Sequence, residues 1–163
     1  MKKLLTLCII HQDGKVLLGM KKRGFGVGKW NGFGGKVEAG EAIEDAAKRE
    51  LFEEVGLNAL DLQKLGVLDF SWAASAKASA SQAGQVLQVH IFKCTKFDGQ
   101  PMEGEEMKPQ WFLVSEIPFE KMWSNDKYFY PLFLENKKFE GRFVFGEGDD
   151  ILEYELHEIR GSL

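Results

Sequence analysis

The sequence predicts one α/β domain, residues 1–163, built on a central mixed β-sheet. A length of 163 residues suits a single domain with one core of ordinary size. Short aliphatic segments alternate with turn residues, as strands do, whereas only two segments have helical length and spacing. Many strands with few helices indicate a mixed sheet against which the helices pack.

Strands are predicted near both ends of the chain and in its middle. The first two, Leu4–Ile10 and Lys15–Met20, are joined by a turn in which Asp13-Gly14 favours a tight hairpin. The others are expected at Leu65–Trp72, Val86–Thr95 and Gln110–Val114, with a closing hairpin of Phe139–Phe145 and Ile151–His157.

Two helices are predicted between these strands. The first covers Ile43–Val55, because its apolar residues recur at helical spacing and Gly56 suits a C-terminal cap. The second is expected over Tyr128–Glu135, with Asn125 or Asp126 as its N-terminal cap.

The segment Ala73–Gln85 is rich in alanine and serine and has no large apolar side chain. This composition predicts a mobile loop or a marginal helix. Since the segment leads towards Leu87, two interpretations stay open, a lid over a binding site and a solvated insertion.

Composition and charge argue against several classes of protein. A net charge of -4 disfavours broad binding to nucleic acid or to anionic membranes. No apolar run approaches the ~20 residues of a transmembrane helix. Two cysteines, Cys8 and Cys94, are too few for a disulfide framework and suit a reducing compartment. We expect a cytoplasmic monomer that binds a small molecule, with no stable nucleic-acid or membrane partner.

A glycine-rich, basic segment precedes the first predicted helix. Seven of the seventeen residues from Gly24 to Gly40 are glycine, which indicates positive φ angles or close approach of the backbone to another group. Six basic residues and no acidic one lie between Gly14 and Val37. Backbone N–H groups and lysines together suit the binding of a di- or triphosphate.

The helix that follows carries Glu50, Glu53 and Glu54 on one face. Like charges at this spacing repel one another, and oxygen ligands suit a hard divalent cation. The alternative is a solvated acidic helix face, which is the commoner situation. The neighbouring basic loop favours a metal platform, because a metal-bound polyphosphate needs both features.

These residues form the pattern called the Nudix box: Gly35, five residues, Glu41, seven residues, Arg49-Glu50-Leu51, one residue, Glu53-Glu54, one residue and Gly56-Leu57. The chain therefore resembles the Nudix hydrolases. The stretches GMKKRGFGVGKWNGFGGKV, EEMKPQWF and IPFEKMW and the final hairpin are similar to one branch of that family, the animal-type MutT homologues. The resemblance covers roughly Lys3–Ile159.

The resemblance implies a fold and an activity. The fold is an alpha-beta-alpha sandwich around a mixed sheet. The activity is the Mg²⁺-dependent hydrolysis of oxidised purine nucleoside triphosphates, 8-oxo-dGTP above all, to monophosphate and pyrophosphate, with Mn²⁺ as a possible substitute. Such a reaction removes damaged nucleotides from the pool that supplies DNA synthesis.

It also implies catalytic roles for residues of the box. The metal ligands would be Glu50, Glu53, Glu54, the Gly34 carbonyl and, from a later loop, Glu106. Glu53 would also orient or deprotonate the attacking water. Arg49, the fourth catalytic residue, would hold the glutamates in place by charge-assisted hydrogen bonds.

For the purine, the resemblance implies a pocket in which Trp123 stacks on the base while Phe25 and Phe70 line the opposite side. The substrate-binding residues that it implies are Thr6, Lys21, Phe25, Asn31, Gly35, Phe70, Leu87, Trp123, Asn125, Asp126 and Phe129.

One departure bears on the choice of base. The sequence Trp123-Ser124-Asn125-Asp126 stands where the family has Trp-Pro-Asp-Asp. An amide offers fixed donors and a fixed acceptor, so Asn125 beside an ionised Asp126 predicts acceptance of oxidised guanine and poorer handling of oxidised adenine. Two other functions stay open: a Nudix hydrolase of another diphosphate-linked substrate (a dNTP, a dinucleoside polyphosphate or ADP-ribose), and a non-catalytic nucleotide-binding module.

Overall fold

The computed structural model describes residues 2–74 and 84–163, and the segment 75–83 of the predicted lid or insertion lies outside the described residues. The strands are β1 Lys2–Gln12, β2 Lys15–Lys21, β3 Trp30–Asn31, β4 Asn58–Ala59, β5 Gln63–Trp72, β6 Val86–Cys94, β7 Phe97–Asp98, β8 Met107–Leu113, β9 Phe139–Phe145 and β10 Ile151–Glu158. The helices are α1 Ile43–Val55 and α2 Asp126–Leu134, and short 3-10 turns cover Val114–Glu116 and Phe119–Lys121.

A mixed sheet forms the centre of the described chain. Its strand order is β10-β9-β5-β6-β1-β2-β3, and β8 pairs with β2. β1 runs parallel to β6 and β5 runs parallel to β9, whereas the other pairs in the sheet are antiparallel. β4 and β7 form a separate two-stranded sheet. The mixed sheet predicted from the sequence is confirmed.

The two helices lie on opposite faces of the sheet, as the alternating side chains of β1 show. Ile9 packs in one buried cluster with Phe129 and Phe133 of α2. Cys8 and Ile10 pack in another cluster with the buried residues of α1. Because neighbouring side chains of a strand point to opposite faces, α1, the sheet and α2 form three layers. The predicted alpha-beta-alpha sandwich is confirmed.

The predicted elements agree with the structure except at their ends. α1 has the predicted bounds, and Gly56 closes it in the left-handed conformation at φ 76°. α2 begins at Asp126, as the predicted start near Asn125 or Asp126 requires, and it ends one residue before the predicted Glu135. The predicted side-chain cap of α2 is wrong, because neither Asn125 nor Asp126 caps it by a side-chain hydrogen bond. Asp126 instead accepts the Trp123 backbone N–H, so its carboxylate is engaged in the turn before the helix.

The glycine-rich segment runs beside β1 and occupies the place of a strand. β1 and β2 are paired only near their common turn. Farther along, Cys8 exchanges backbone hydrogen bonds with Phe33, and the Thr6 N–H donates to the Gly35 carbonyl at 2.9 Å. The segment 33–37 therefore fills the gap between β1 and α1. This position brings the loop to the acidic face of the helix.

Neither of the helices in residues 2–74 and 84–163 is long and apolar enough to cross a bilayer.

Candidate active site

A cavity of about 630 Å³ opens between the sheet, the glycine-rich segment and the start of α2. Its walls include every residue implied for substrate binding: Thr6, Lys21, Phe25, Asn31, Gly35, Phe70, Leu87, Trp123, Asn125, Asp126 and Phe129. The cavity also reaches Gly34 and Glu54. Residues that are far apart in the sequence thus converge on one space that extends to the acidic helix.

Two adjacent glycines allow the backbone to reach the glutamates of α1. A Cβ atom on Gly34 would lie 1.8 Å from the Thr6 carbonyl oxygen, so only glycine fits there. The Gly34 N–H donates to Glu54 Oε1 at 2.7 Å. A Cβ atom on Gly35 would lie 2.6 Å from the carboxyl carbon of Glu50. Each glycine of the pair therefore faces one carboxylate of the helix.

Arg49 joins the acidic residues around α1. Its guanidinium donates to both carboxylate oxygens of Glu41, at 2.7 and 3.0 Å, and to the Lys36 carbonyl at 3.0 Å. It also donates to Glu50 at 2.9 Å and to Glu53 at 3.2 Å. The hydrogen bonds from Glu41 and Glu50 raise the pKa of Arg49 above its ordinary value, so it stays charged. Arg49 thereby offsets the repulsion between these glutamates.

Glu54 is half-buried and is the helix glutamate that lines the cavity. Burial raises its pKa to about 7, against the lowering effect of the Gly34 N–H. The charges of Glu50 and Glu106 raise its pKa further, and Lys21 lowers it. The carboxylates therefore lie close enough together to influence one another's charge.

The carboxylates nevertheless do not converge on one point. Among the described residues, no three His, Cys, Asp or Glu side chains form a group that could hold a metal ion. The Glu53 side chain is 55% exposed and turns towards Arg49. Glu106 is paired with Arg23 at 2.7 Å and lies 3.8 Å from Lys21. Of the expected metal ligands, Glu50, Glu53 and Glu106 are thus each paired with an arginine, whereas Glu54 accepts a backbone N–H.

Trp123 and Phe25 stand together at the cavity. Their rings are stacked with centroids 5.0 Å apart and an interplanar angle of 27°. The prediction that Phe25 lines the side opposite Trp123 is therefore wrong. Positive φ angles at Gly24, Gly26 and Gly28 turn the loop and carry Phe25 onto the tryptophan. Phe70 packs instead against aromatic residues of β9.

Asn125 and Asp126 are buried at the start of α2, with 5% and 2% of their surface exposed. Asp126 Oδ2 accepts the Trp123 N–H at 3.1 Å. Burial raises the pKa of Asp126 to about 8, although this hydrogen bond and the charge of Lys29 lower it. Burial therefore favours the protonated form of this carboxyl group at neutral pH, against the expectation of an ionised Asp126.

The remaining predicted residues line the same cavity from the sheet. Thr6 is buried, and its hydroxyl has no hydrogen-bond partner among the described residues. Asn31 Oδ1 accepts the Gly32 N–H at 2.8 Å, which leaves the amide NH₂ for a ligand. Leu87 is half-buried, and Phe129 is fully buried in the core beneath the cavity.

Lys29 and Asp149 also line the cavity but were missed as site residues. The sequence signal for Lys29 was its place in the basic loop. Asp149 lies in the turn of the closing hairpin, and no sequence pattern brings that turn to Trp123. Only the packing of β9 and β10 beside α2 reveals it.

Comparison with known proteins identifies the family. Residues 1–133 match the model of the NUDIX domain. The chain belongs to the Nudix family. It is 49% identical to a protein of Danio rerio and 50% identical to one of Mus musculus, over 96% of each chain, and both are named oxidized purine nucleoside triphosphate hydrolase. The crystal structure of a MutT protein from Bacillus halodurans superposes with a TM-score of 0.81 at 27% identity, covering 94% of this chain and 97% of that one.

Membership of the Nudix family explains why these residues occur together on one loop and one helix. The Nudix box lies on the segment 35–57, where the glycine pair, Arg49 and the helix glutamates meet. The protein is a Nudix hydrolase, and members of this family generally depend on a divalent metal.

Proposed function

We propose that this Nudix hydrolase cleaves oxidised purine nucleoside triphosphates, 8-oxo-dGTP in preference, to the monophosphate and pyrophosphate. The observation that carries the proposal is the single cavity, which collects all the base-pocket residues and continues to Gly34 and Glu54. The names of the relatives at 49% and 50% identity support the same substrate class. The enzyme would remove oxidised nucleotides before DNA synthesis uses them.

Mg²⁺ is the proposed cofactor, with Mn²⁺ as a substitute. The donor chemistry fits a hard cation, because carboxylates and a backbone carbonyl supply only oxygen. The buried charge of Glu54 also fits, since the pKa of this group is raised by burial and by its acidic neighbours. The proposed ligands are Gly34, Glu50, Glu53, Glu54 and Glu106. Such a cation, when bound, withdraws charge from phosphate oxygens and favours attack by water.

The chain's own residues would position the reacting groups. Arg49 holds Glu50 and Glu53 and keeps their carboxylates from swinging apart. Glu53 is nominated to orient or deprotonate the attacking water, and its exposure leaves it accessible to solvent. Lys21, beside Glu106 at the cavity, supplies positive charge for the phosphates.

The base would be recognised on the α2 side of the cavity. Trp123 offers an aromatic surface for the purine. The Asn125 amide and the Asp126 carboxyl group are buried at the cavity wall, so an unmatched purine edge would leave a polar group without a partner. The free-energy cost of that unpaired group would let the site discriminate between purine bases.

The test is Mg²⁺-dependent release of pyrophosphate from 8-oxo-dGTP, 2-hydroxy-dATP, dGTP and dATP, compared by kcat/KM. Glu53→Gln removes a proposed catalytic carboxylate from α1. Glu44→Gln, on the exposed first turn of the same helix, is the matched control. We expect kcat to fall by roughly 10²- to 10³-fold in the first variant, because one transition-state contact is lost, and to be unchanged in the second.

A preference for 8-oxo-dGTP over dGTP, together with this difference between the variants, supports the proposal. Turnover without preference would contradict the substrate assignment and favour another diphosphate-linked substrate. Tight nucleotide binding without turnover would instead favour a non-catalytic binding module.

The remaining properties belong to the same proposal. We propose that residues 1–163 form a single Nudix domain that acts as a monomer in the cytoplasm on a small nucleotide. The net charge of -4 supports the absence of stable nucleic-acid or membrane partners. Size-exclusion chromatography with light scattering tests the oligomeric state.

A further inference from the structure

Three segments that are distant in the sequence meet on the outer side of Trp123. Lys29 comes from the glycine-rich loop, Ser124 from the turn before α2, and Asp149 from the turn between β9 and β10. Lys29 and Asp149 line the cavity, as Trp123 does. We call Lys29, Ser124 and Asp149 the clasp.

The contacts within the clasp are polar and directed. Lys29 Nζ lies 3.7 Å from Asp149 Oδ2, and both side chains are about one-third exposed, at 32% and 34%. The same oxygen of Asp149 accepts the Ser124 backbone N–H at 3.2 Å. The Ser124 hydroxyl donates to the Asp149 backbone carbonyl. Asp149 therefore joins the hairpin turn to both the loop and the turn before α2.

The clasp acts on Trp123 from two directions. The Lys29 ammonium group lies 5.0 Å from the centroid of the tryptophan ring, a cation–π distance. Ser124 directly follows Trp123, so its hydrogen bonds to Asp149 fix the main chain that carries the ring. Ring and main chain are thus both held before any ligand binds.

Holding the ring in advance has a consequence for binding. A purine that stacks on a mobile side chain must also order that side chain, and this ordering weakens binding. A ring that is already held avoids this cost, and its effect appears in affinity rather than in the chemical step. In the proposed function, the phosphates and the attacking water would lie beside α1, where the cavity reaches Gly34 and Glu54.

We propose that Lys29 and Asp149 are positioning residues that hold Trp123 ready for the purine and thereby set the affinity for the base. This inference rests on the proposed function, because it assigns the purine to Trp123. It predicts a change in KM and in the affinity for the product monophosphate, with little change in kcat.

The alternative is an ordinary surface ion pair, which contributes little to stability and nothing to binding. The same hairpin supplies a matched control for it. Arg142 pairs with Glu153 at 3.2 Å, and this pair does not line the cavity. Removing the charge of Glu153 tests the effect of losing an ion pair from this hairpin at a place that does not line the cavity.

The experiment compares wild type with Lys29→Met, Lys29→Arg, Asp149→Asn and the control Glu153→Gln. KM and kcat are measured with 8-oxo-dGTP and with dGTP. The affinities for 8-oxo-dGMP and dGMP are measured by calorimetry without metal, and thermal unfolding verifies the fold. We expect KM and the product Kd to rise about 3- to 10-fold in Lys29→Met and Asp149→Asn, with kcat within about twofold. Lys29→Arg keeps the charge and should retain most of the affinity.

Equal product affinities in the clasp variants and in the control would overturn the inference, as would a loss confined to kcat. The proposed function has a separate readout. It fails if wild type does not prefer 8-oxo-dGTP to dGTP, whereas the ratio of variant to wild-type affinity for dGMP still decides whether the clasp holds Trp123.

Discussion

The two ends of the cavity differ in how far they are assembled without a ligand. At the base end, Asn125 and Asp126 are buried, and the Asp126 carboxyl group is hydrogen-bonded to the Trp123 main chain. At the phosphate end, Glu53 and Glu106 are about half exposed and are held by Arg49 and Arg23. The base end is thus a preformed pocket, whereas the phosphate end is a group of carboxylates whose charges are offset by arginines.

The proposed function explains this difference by what each end would bind. A planar, neutral base gains most from groups that are fixed in advance, because each group ordered on binding costs affinity. A polyphosphate with its cation brings large charges of both signs, and glutamates without counter-charge would repel one another until it arrived. Arg49 and Arg23 supply that counter-charge. We therefore expect substitutions at the phosphate end to change turnover, and substitutions at the base end to change selectivity and pH dependence.

Among the further substitutions that test this contrast, the largest effect is expected from Gly35→Ala at the phosphate end. The new methyl group would lie 2.6 Å from the Glu50 carboxyl carbon, and the flexible end of that side chain has to move away. The fold should survive, while kcat falls about 10- to 100-fold because Glu50, a proposed metal ligand, is displaced. Steady-state kinetics with 8-oxo-dGTP and a thermal melt measure the two effects.

Gly104→Ala is the matched control for this change. A Cβ atom there meets nothing closer than the Glu54 carbonyl oxygen at 3.7 Å, which is an ordinary contact. Both activity and melting temperature should stay near wild type. If Gly35→Ala keeps full kcat, the Glu50 carboxylate is not needed where the structure places it, and the contrast between the two ends is lost.

The second effect is a pH dependence of stability that arises at the base end. The pKa of Asp126 is raised to about 8 in the folded protein, against an ordinary value of 3.8. The unfolded chain releases this proton at a lower pH than the folded chain does. The contribution of Asp126 to the free energy of unfolding is therefore fully present below pH 3.8. This contribution is lost as the pH rises through about 8.

Asp126→Asn should remove this dependence. Between pH 6 and pH 8, the free energy of unfolding of wild type should fall relative to that of the variant, by about 2 kcal/mol. Urea unfolding at the two pH values measures it. The exposed Asp150→Asn variant is the control, since it should follow wild type. Parallel pH profiles for wild type and Asp126→Asn would show that Asp126 is ionised when folded.

Local sequence patterns predicted most of the fold. Helical spacing and Gly56 gave both ends of α1, and the turn at Asp13-Gly14 gave the first hairpin. The N-terminal cap of α2 was harder to predict, because Asn125 and Asp126 resemble ordinary capping residues. Their side chains instead serve the buried pocket, and burial depends on which elements pack around them.

The site residues likewise fall into two groups: those that local spacing places together, and those that only tertiary packing brings together. The box residues are neighbours on one loop and one helix, so spacing alone brought Glu50, Glu54 and Arg49 together. The stacking of Phe25 on Trp123 depends on how the glycine-rich loop folds against a turn almost a hundred residues later, and the spacing of the sequence carries no such information. The raised pKa of Asp126 likewise depends on burial, which the sequence around it does not specify.

The smallest effect, and the sharpest test of the base end, concerns Asn125→Asp. Asn125 presents fixed donors and a fixed acceptor, whereas two adjacent carboxyl groups exchange a proton and present different patterns to different bases. The variant should therefore handle 2-hydroxy-dATP better, and the preference for 8-oxo-dGTP over it should fall by about 3- to 10-fold in kcat/KM. Both substrates are measured in one mixture, with Asn58→Asp on exposed β4 as the control. An unchanged preference would mean that the identity of residue 125 does not select the base. Discrimination would then have to come from Asp126 and the shape of the cavity around Trp123.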